Sequence, residues 1–224
     1  MSEMAKPGSA EHQLRTDIEW RSRGYLPHRD CVGLLQSITF RLADSLPQEK
    51  LRELENELKR EKEAELGLRA PGVDAEKRKR IDAWLDAGTG CCALRHPRMA
   101  AVMQETLLKS DEEKYRLLAW CIMPNHVHVL IEPMVSLSTI VQSWKSFTGR
   151  WAMKYGAELG LRAPGFWMPD YWDRFIRDEQ HLRSVIDYIH NNPVKAGLCE
   201  NEGDWPWSSA YLPGARSPSS AHDL

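Results

Sequence analysis

The stretch YRLLAWCIMPNHVHVLIEP, residues 115–133, constrains the fold more than any other part of the chain. Two apolar runs flank Pro124–Asn125, a turn dipeptide, and so predict an antiparallel hairpin. In the second run His126 and His128 alternate with Val127 and Val129. On a strand, residues i and i+2 share a face, so both imidazoles converge on one side while the valines face the other. A buried strand would be better filled by Val or Ile. Two neutral imidazoles placed this way can grip one divalent cation. A lone His-x-His is weak evidence for a metal, and satisfied or half-buried histidines are the commoner reading of that spacing.

The rest of the chain supplies what such a hairpin needs to pack against. SITFRL, around 37–42, reads as a first strand. PQEKLRELENELKREKEAEL, from Pro47, is a charged helix with leucines at 51, 54 and 58. DAEKRKRIDAWLDAG is a second helix with a glycine stop, and a third lies near His96–Lys109. After the hairpin, LSTIVQSWKSFTGRWAMKYG places Leu137, Ile140, Val141, Trp144, Phe147, Trp151 and Tyr155 on one helical face. A last helix begins near Asp178 and is expected to stop at Pro193. This order predicts an α+β fold: a ferredoxin-like antiparallel sheet with helices packed on one face, plus a charged helical insertion at 47–94. The expected domain runs from 23 to 211, between a disordered arm (1–22) and a disordered tail (212–224).

Charge and cysteine usage exclude several classes. A net charge of −2 removes the global basic signature of a nucleic-acid binder, so cations must be read locally. No apolar run is long enough to span a bilayer, and the polar N-terminal stretch MSEMAKPGSAEHQ lacks a signal-peptide core. The expected location is the cytoplasm, which suits five cysteines with no CxxC pair. Adjacent Cys91 and Cys92 with His96 form at most a fragment of a soft-metal site. AELGLRAPG occurs twice, at 64–72 and 157–165. Both copies end in a turn signal and suit surface connections, as after a duplication at the DNA level.

Tyr188 and Asn192 lie four residues apart on the last helix and share a face. Such residues usually pack and stop a helix. Beside a metal-binding histidine pair, Asn192 could supply a carbonyl oxygen, and Tyr188 would stand next to any phosphate the cation holds. A phenol with a pKa near 10 becomes a competent nucleophile only when aligned with a polarised phosphodiester. Other uses of His-x-His fit less well. Histidine-triad hydrolases need a third histidine where Leu130 stands. Cupins would use Glu132, but their glycines and second histidine motif are missing, and this chain is too helical for a jelly roll. There is no G-x-S-x-G elbow for a serine hydrolase.

MPNHVHVLIEP resembles the HUH motif (His, hydrophobic, His) of single-tyrosine transposases. WKSFTGRW, FWMPDYWDRFIRDEQHL, DYIHNNPVKAGL and DWPWSSAY follow in the order of the blocks of REP-associated tyrosine transposases, and GYLPHRD and SITFRLADSLP resemble that family's opening. The resemblance runs from about Arg23 to Tyr211. It implies metal-binding histidines at His126 and His128, a further polar ligand at Asn192 and a catalytic tyrosine at Tyr188. Tyr171 is a second candidate without the polar partner at i+4. The activity implied is a DNA strand transferase dependent on Mg²⁺ or Mn²⁺. Its substrates would be single-stranded hairpins of repetitive extragenic palindromes, cut through a 5′-phosphotyrosine link that leaves a free 3′-hydroxyl, with no small-molecule cofactor.

Lys145, Arg150, Lys154, Arg174, Arg177 and Arg183 are then the candidate backbone contacts, each also readable as a solvated surface cation. Trp144 and Trp151 could stack bases, though their helical spacing suits a core. The alternative reading is a DNA-binding protein that keeps the fold without the chemistry.

Overall fold

The computed structural model describes residues 19–22, 27–30, 32–47, 49–50, 52–53, 56, 73–157 and 165–213. The charged helix from Pro47, the first AELGLRAPG copy, most of the second, the arm before 19 and the tail after 213 lie largely or wholly outside them.

β1 (Glu19–Ser22) and β2 (Pro27–Asp30) form a two-stranded antiparallel ladder with Glu19 opposite Asp30. Residues 19–22, expected within the disordered arm, are therefore a strand. The main sheet contains β3 (Gln36–Arg41), β4 (Tyr115–Ile122), β5 (His126–Pro133) and β6 (Trp172–Phe175) in the order β4-β5-β3-β6, all antiparallel. α1 (Val73–Asp86) and α2 (Pro97–Lys109) connect β3 to β4, α3 (Leu137–Tyr155) connects β5 to β6, and α4 (Glu179–Lys195) follows. This is the split βαββαβ order of a ferredoxin-like sheet, and the α+β class is as expected. β6 has no period-2 signature: its sequence, WDRF, is charged and only partly buried, as suits an edge strand.

The sheet is covered on both faces, where packing on one face was expected. Ile38, Phe40, Val127, Val129 and Ile131 point toward Met99, Met103 and Leu107 of α2 and Ile140, Val141 and Trp144 of α3. On the other face Ala119, Cys121 and Leu130 meet Ile189, Leu182 and Val185 of α4. The histidines belong to this second face because their register partners are Thr39 and Arg41, which alternate with Ile38 and Phe40. A bulge between Leu117 and Ala119 keeps β4 in phase by inserting Leu118. Inside the larger core Trp144 Nε1 donates to the Tyr115 hydroxyl (2.9 Å), which donates to Leu107 O (2.5 Å), so both polar handles are satisfied.

Two helical expectations are corrected. Phe147 is 47% exposed, because the buried stripe of α3 runs through Trp144, Thr148 and Ala152 instead. Thr148 can sit inside because its hydroxyl donates to Trp144 O and accepts from Trp167 Nε1. Pro193 does not stop α4, which continues to Lys195. In the last turn its missing N–H forfeits one bond. The helix ends when Gly197 takes a positive φ of 67° and its N–H, with that of Leu198, returns to Val194 O and Pro193 O.

The DWPWSSAY segment covers the outer edge of β4. Ile122 N donates to Trp207 O and Ser209 N to Trp120 O. Trp205 Nε1 adds a bond to Ile122 O. These contacts use edge groups that would otherwise invite another strand. No described helix is long and apolar enough to cross a membrane.

Candidate active site

A two-residue turn at Pro124–Asn125 closes the hairpin, with Met123 N donating to His126 O. It places His126 and His128, 0% and 2% exposed, on the face shared with α4. Their rings meet edge to face, at 88° and 4.7 Å between centroids, and their Nε2 atoms approach to 2.9 Å. Each Nδ1 has its own partner: Asn125 Oδ1 at 2.7 Å for His126, Thr39 Oγ1 at 2.8 Å for His128.

Asn125 decides one tautomer. Its Nδ2 donates to Leu85 O and Thr89 O, both at 3.1 Å, so its Oδ1 is the acceptor and His126 Nδ1 carries the proton. His126 Nε2 is then an acceptor and takes the proton of His128 Nε2 at 2.9 Å, which leaves His128 Nδ1 to accept from the Thr39 hydroxyl. Burial keeps the imidazoles neutral. It drives His126 well below its ordinary value, with His128 as the second cause, and His128 down to about 3, with Lys195 adding.

α4 supplies the next groups. Asp178 caps its N-terminus by accepting from His181 N (2.7 Å). Nearly three turns on, the Tyr188 ring packs against His128 at 5.3 Å and 79°. The Lys195 ammonium lies 4.7 Å from the Tyr188 ring centroid. The Tyr188 hydroxyl is buried and meets no partner in normal hydrogen-bond geometry. Burial first, then neighbouring Asp82, pushes it well above the ordinary phenol value, while Asn192 acts the other way. Asn192 is fully buried, and its Nδ2 donates to Tyr188 O (2.7 Å) while its Oδ1 has no donor.

The structure adds groups the sequence reading missed. Asp86, the last residue of α1, brings a buried Oδ1 without a donor to 4.0 Å from His126 Nε2. Burial, then Asp82, pushes its carboxyl up to about 6, against the pull of Lys195. Arg41, directly opposite His126, is 3% exposed, donates to Ser45 Oγ (3.1 Å) and stacks over Trp172. The Pro-Asn turn immediately before His-x-His was the available signal for Asn125. Thr39, Asp82 and Asp86 had none.

These side chains thus carry two imidazole nitrogens that share one proton, and two buried oxygens, Asn192 Oδ1 and Asp86 Oδ1, that no donor satisfies. Adjacent donors on one ion with arms of about 2.1 Å lie about 3.0 Å apart. The 2.9 Å between the Nε2 atoms suits such an edge. Among the described residues no group of three or more His, Cys, Asp or Glu side chains is arranged to hold a metal ion.

The remaining candidates are dispersed. Tyr171 is buried in the core on the opposite face of the sheet, away from the histidines. Lys145 Nζ donates to Met168 O, Pro169 O and Asp170 O at 2.8–3.1 Å, so its donors are committed within the fold. Burial pushes this ammonium down to about 7, with Asp170 pulling it back up and Arg41 adding to the fall. Arg150 and Lys154 are exposed on α3, across the sheet from the histidines, and Lys154 lies over the Tyr155 ring. Arg174 and Arg177 are exposed just before α4, and Arg183, also exposed, pairs with Glu179. Trp144 is core and Trp151 is half-buried under Arg98. Cys91, Cys92 and His96 are engaged separately. Cys91 bonds Asp44, which with burial pushes its thiol up to about 11, Cys92 bonds Gly88 O, and His96 caps α2 through Arg98 N.

The family described as "Transposase IS200 like" matches residues 95–192, a span that holds both histidines, Tyr188 and Asn192. The chain is 27% identical to a REP-associated tyrosine transposase of Escherichia coli, over 51% of this chain and 67% of that one. It is 32% identical to a putative REP-associated tyrosine transposase of Haemophilus influenzae, over 43% of this chain and 60% of the relative. A solved REP-associated tyrosine transposase bound to a REP hairpin aligns with 86% of this chain and 82% of its own, at 17% identity and a TM-score of 0.45. Residues 95–192 thus resemble IS200-like transposases, and the chain is similar to REP-associated tyrosine transposases.

Proposed function

We propose that the chain is a metal-dependent endonuclease and strand transferase for single-stranded DNA, with Tyr188 as the nucleophile. The observation that carries this reading is the contact of Tyr188 with His128, whose Nε2 converges with that of His126. His126, His128 and Asn192 would hold Mg²⁺ or Mn²⁺, which when bound polarises a phosphate oxygen. Thr39 and Asn125 orient the two imidazoles from behind.

The Tyr188 oxygen attacks phosphorus while the bond from phosphorus to the 3′ oxygen breaks. The phenol gives up its proton and the departing 3′ oxygen gains one. One phosphodiester replaces another, so the free 3′-hydroxyl can reverse the step. Burial of the hydroxyl means that it arrives protonated, and proton loss belongs to the chemical step.

The substrates on this reading are single-stranded hairpins of repetitive extragenic palindromes, as the sequence resemblance implies, and the description of two relatives as REP-associated supports it. With a net charge of −2, binding must rest on local cations, for which Arg174, Arg177 and Arg183 are nearest in sequence to Tyr188. Hairpin oligonucleotides from repeats flanking the gene, incubated with Mn²⁺ or Mg²⁺, test the proposal. The expected product is a DNA fragment attached to Tyr188, seen by mass spectrometry and missing from Tyr188→Phe. Metal-independent binding without a cut would point instead to a DNA-binding protein that lacks the chemistry.

A further inference from the structure

We propose that Asp86 is a carboxylate ligand of the cation, so that α1, part of the charged insertion, completes the metal site. This rests on the reading of His126 and His128 as cation ligands.

The placement of Asp86 follows from one side chain. Asn125 ties Leu85 O and Thr89 O through Nδ2 and His126 Nδ1 through Oδ1, so it sets the end of α1 against the histidine. Ile81 and Leu85 pack beneath with Leu46 and Trp172, which fixes the roll of the helix. Asp86, next in sequence to Leu85, then projects its Oδ1 to 4.0 Å from His126 Nε2.

The donor character also fits. Asp86 Oδ1 and the fully buried Asn192 Oδ1 are acceptors that no donor satisfies. Unsatisfied buried acceptors are costly, and a cation beside His126 would satisfy the Asp86 oxygen. Two donors on one ion with arms of about 2.1 Å lie between about 3.0 Å apart, when adjacent, and about 4.2 Å, when opposite. The observed 2.9 Å and 4.0 Å fall near these ends.

Charge gives a further reason. Two neutral imidazoles and an amide leave a divalent ion uncompensated. One carboxylate leaves a net charge of +1, which matches a single phosphodiester.

Mn²⁺ titration calorimetry, with the fraction of free Mn²⁺ read by electron paramagnetic resonance, tests this on the full chain without DNA. Wild type, Asp86→Asn, Asp86→Glu and His128→Ala would be compared after circular dichroism shows each to be folded. Asp86→Asn is expected to weaken Mn²⁺ binding at least tenfold and Asp86→Glu to restore most of it, while His128→Ala removes binding. Wild-type affinity in Asp86→Asn, together with loss in His128→Ala, overturns the role of Asp86 and leaves the histidine reading intact. If wild type itself binds no Mn²⁺, both readings fall together. If Asp86→Asn does not fold, Asp86→Glu decides alone: a changed Mn²⁺ resonance with retained binding supports ligation, and an unchanged resonance and affinity rejects it.

Discussion

Asn125 Oδ1 lies 2.7 Å from His126 Nδ1, and the same amide holds the C-terminal end of α1 through Leu85 O. A turn residue therefore links a helix end to a candidate ligand. Asn125→Ala would strand two backbone carbonyls and one imidazole N–H, all buried or partly buried. Unmet buried groups cost about 1–3 kcal/mol each. A loss of roughly 3 kcal/mol is expected from urea unfolding, with Mn²⁺ affinity down about tenfold or more. A loss below about 1 kcal/mol with unchanged affinity would show that the turn does not organise the site.

Tyr188→Phe should separate chemistry from stability. The hydroxyl is buried beside Asp82 and Asn192 but meets neither in normal hydrogen-bond geometry, so removing it should cost little. The variant should unfold within about 0.5 kcal/mol of wild type, or slightly above it. Covalent capture of hairpin DNA should vanish. A variant that is strongly destabilised, or that still forms the adduct, contradicts this assignment.

The hairpin, β3, α2, α3 and α4 were legible because each carries its own periodicity, and the shared face of His126 and His128 follows from strand geometry alone. The surroundings of the pair were not legible. Thr39 and His128 are 89 residues apart and Asn125 and Leu85 are 40 apart, so only the folded sheet brings them together. α1 is readable as a helix, but its charges outnumber its apolar residues, so nothing in its sequence marks a side that faces the site. The two that matter for packing, Ile81 and Leu85, carry Asp82 and Asp86 beside them into the site. Phe147 shows the opposite failure, an apolar residue at a core-like spacing that the roll of α3 turns outward.

Lys145 and Arg150 should behave differently toward DNA although both lie on α3. Lys145 donates to three carbonyls of the 168–170 segment, whereas Arg150 is exposed. Lys145→Met should destabilise the protein and leave the salt dependence of single-strand binding unchanged. Arg150→Ala should barely alter stability. If Arg150 contacts a phosphate, its loss flattens the slope of log K against log salt by about 0.7. Fluorescence anisotropy across a salt series reads both, and a flattened slope in a folded Lys145→Met protein would reverse the assignment.

Asp86 also predicts a pH dependence of the metal-free protein. Its carboxyl is pushed up from an ordinary 3.8 to about 6, first by burial and then by Asp82. Between about pH 4 and pH 6 the folded chain therefore holds a proton that the unfolded chain has released. Stability from this group falls as pH rises through that window, and the penalty is fully present above pH 6. Its upper bound is about 3 kcal/mol, and partial exposure of the side chain reduces it. Asp86→Asn lacks the titration. Without metal it should be more stable than wild type at pH 7.5, with the gap closing toward pH 5. Saturating Mn²⁺ at pH 7.5 should narrow or invert the gap by stabilising wild type more. A gap that is the same at both pH values in urea unfolding would mean that Asp86 ionises as freely in the fold as in the unfolded chain.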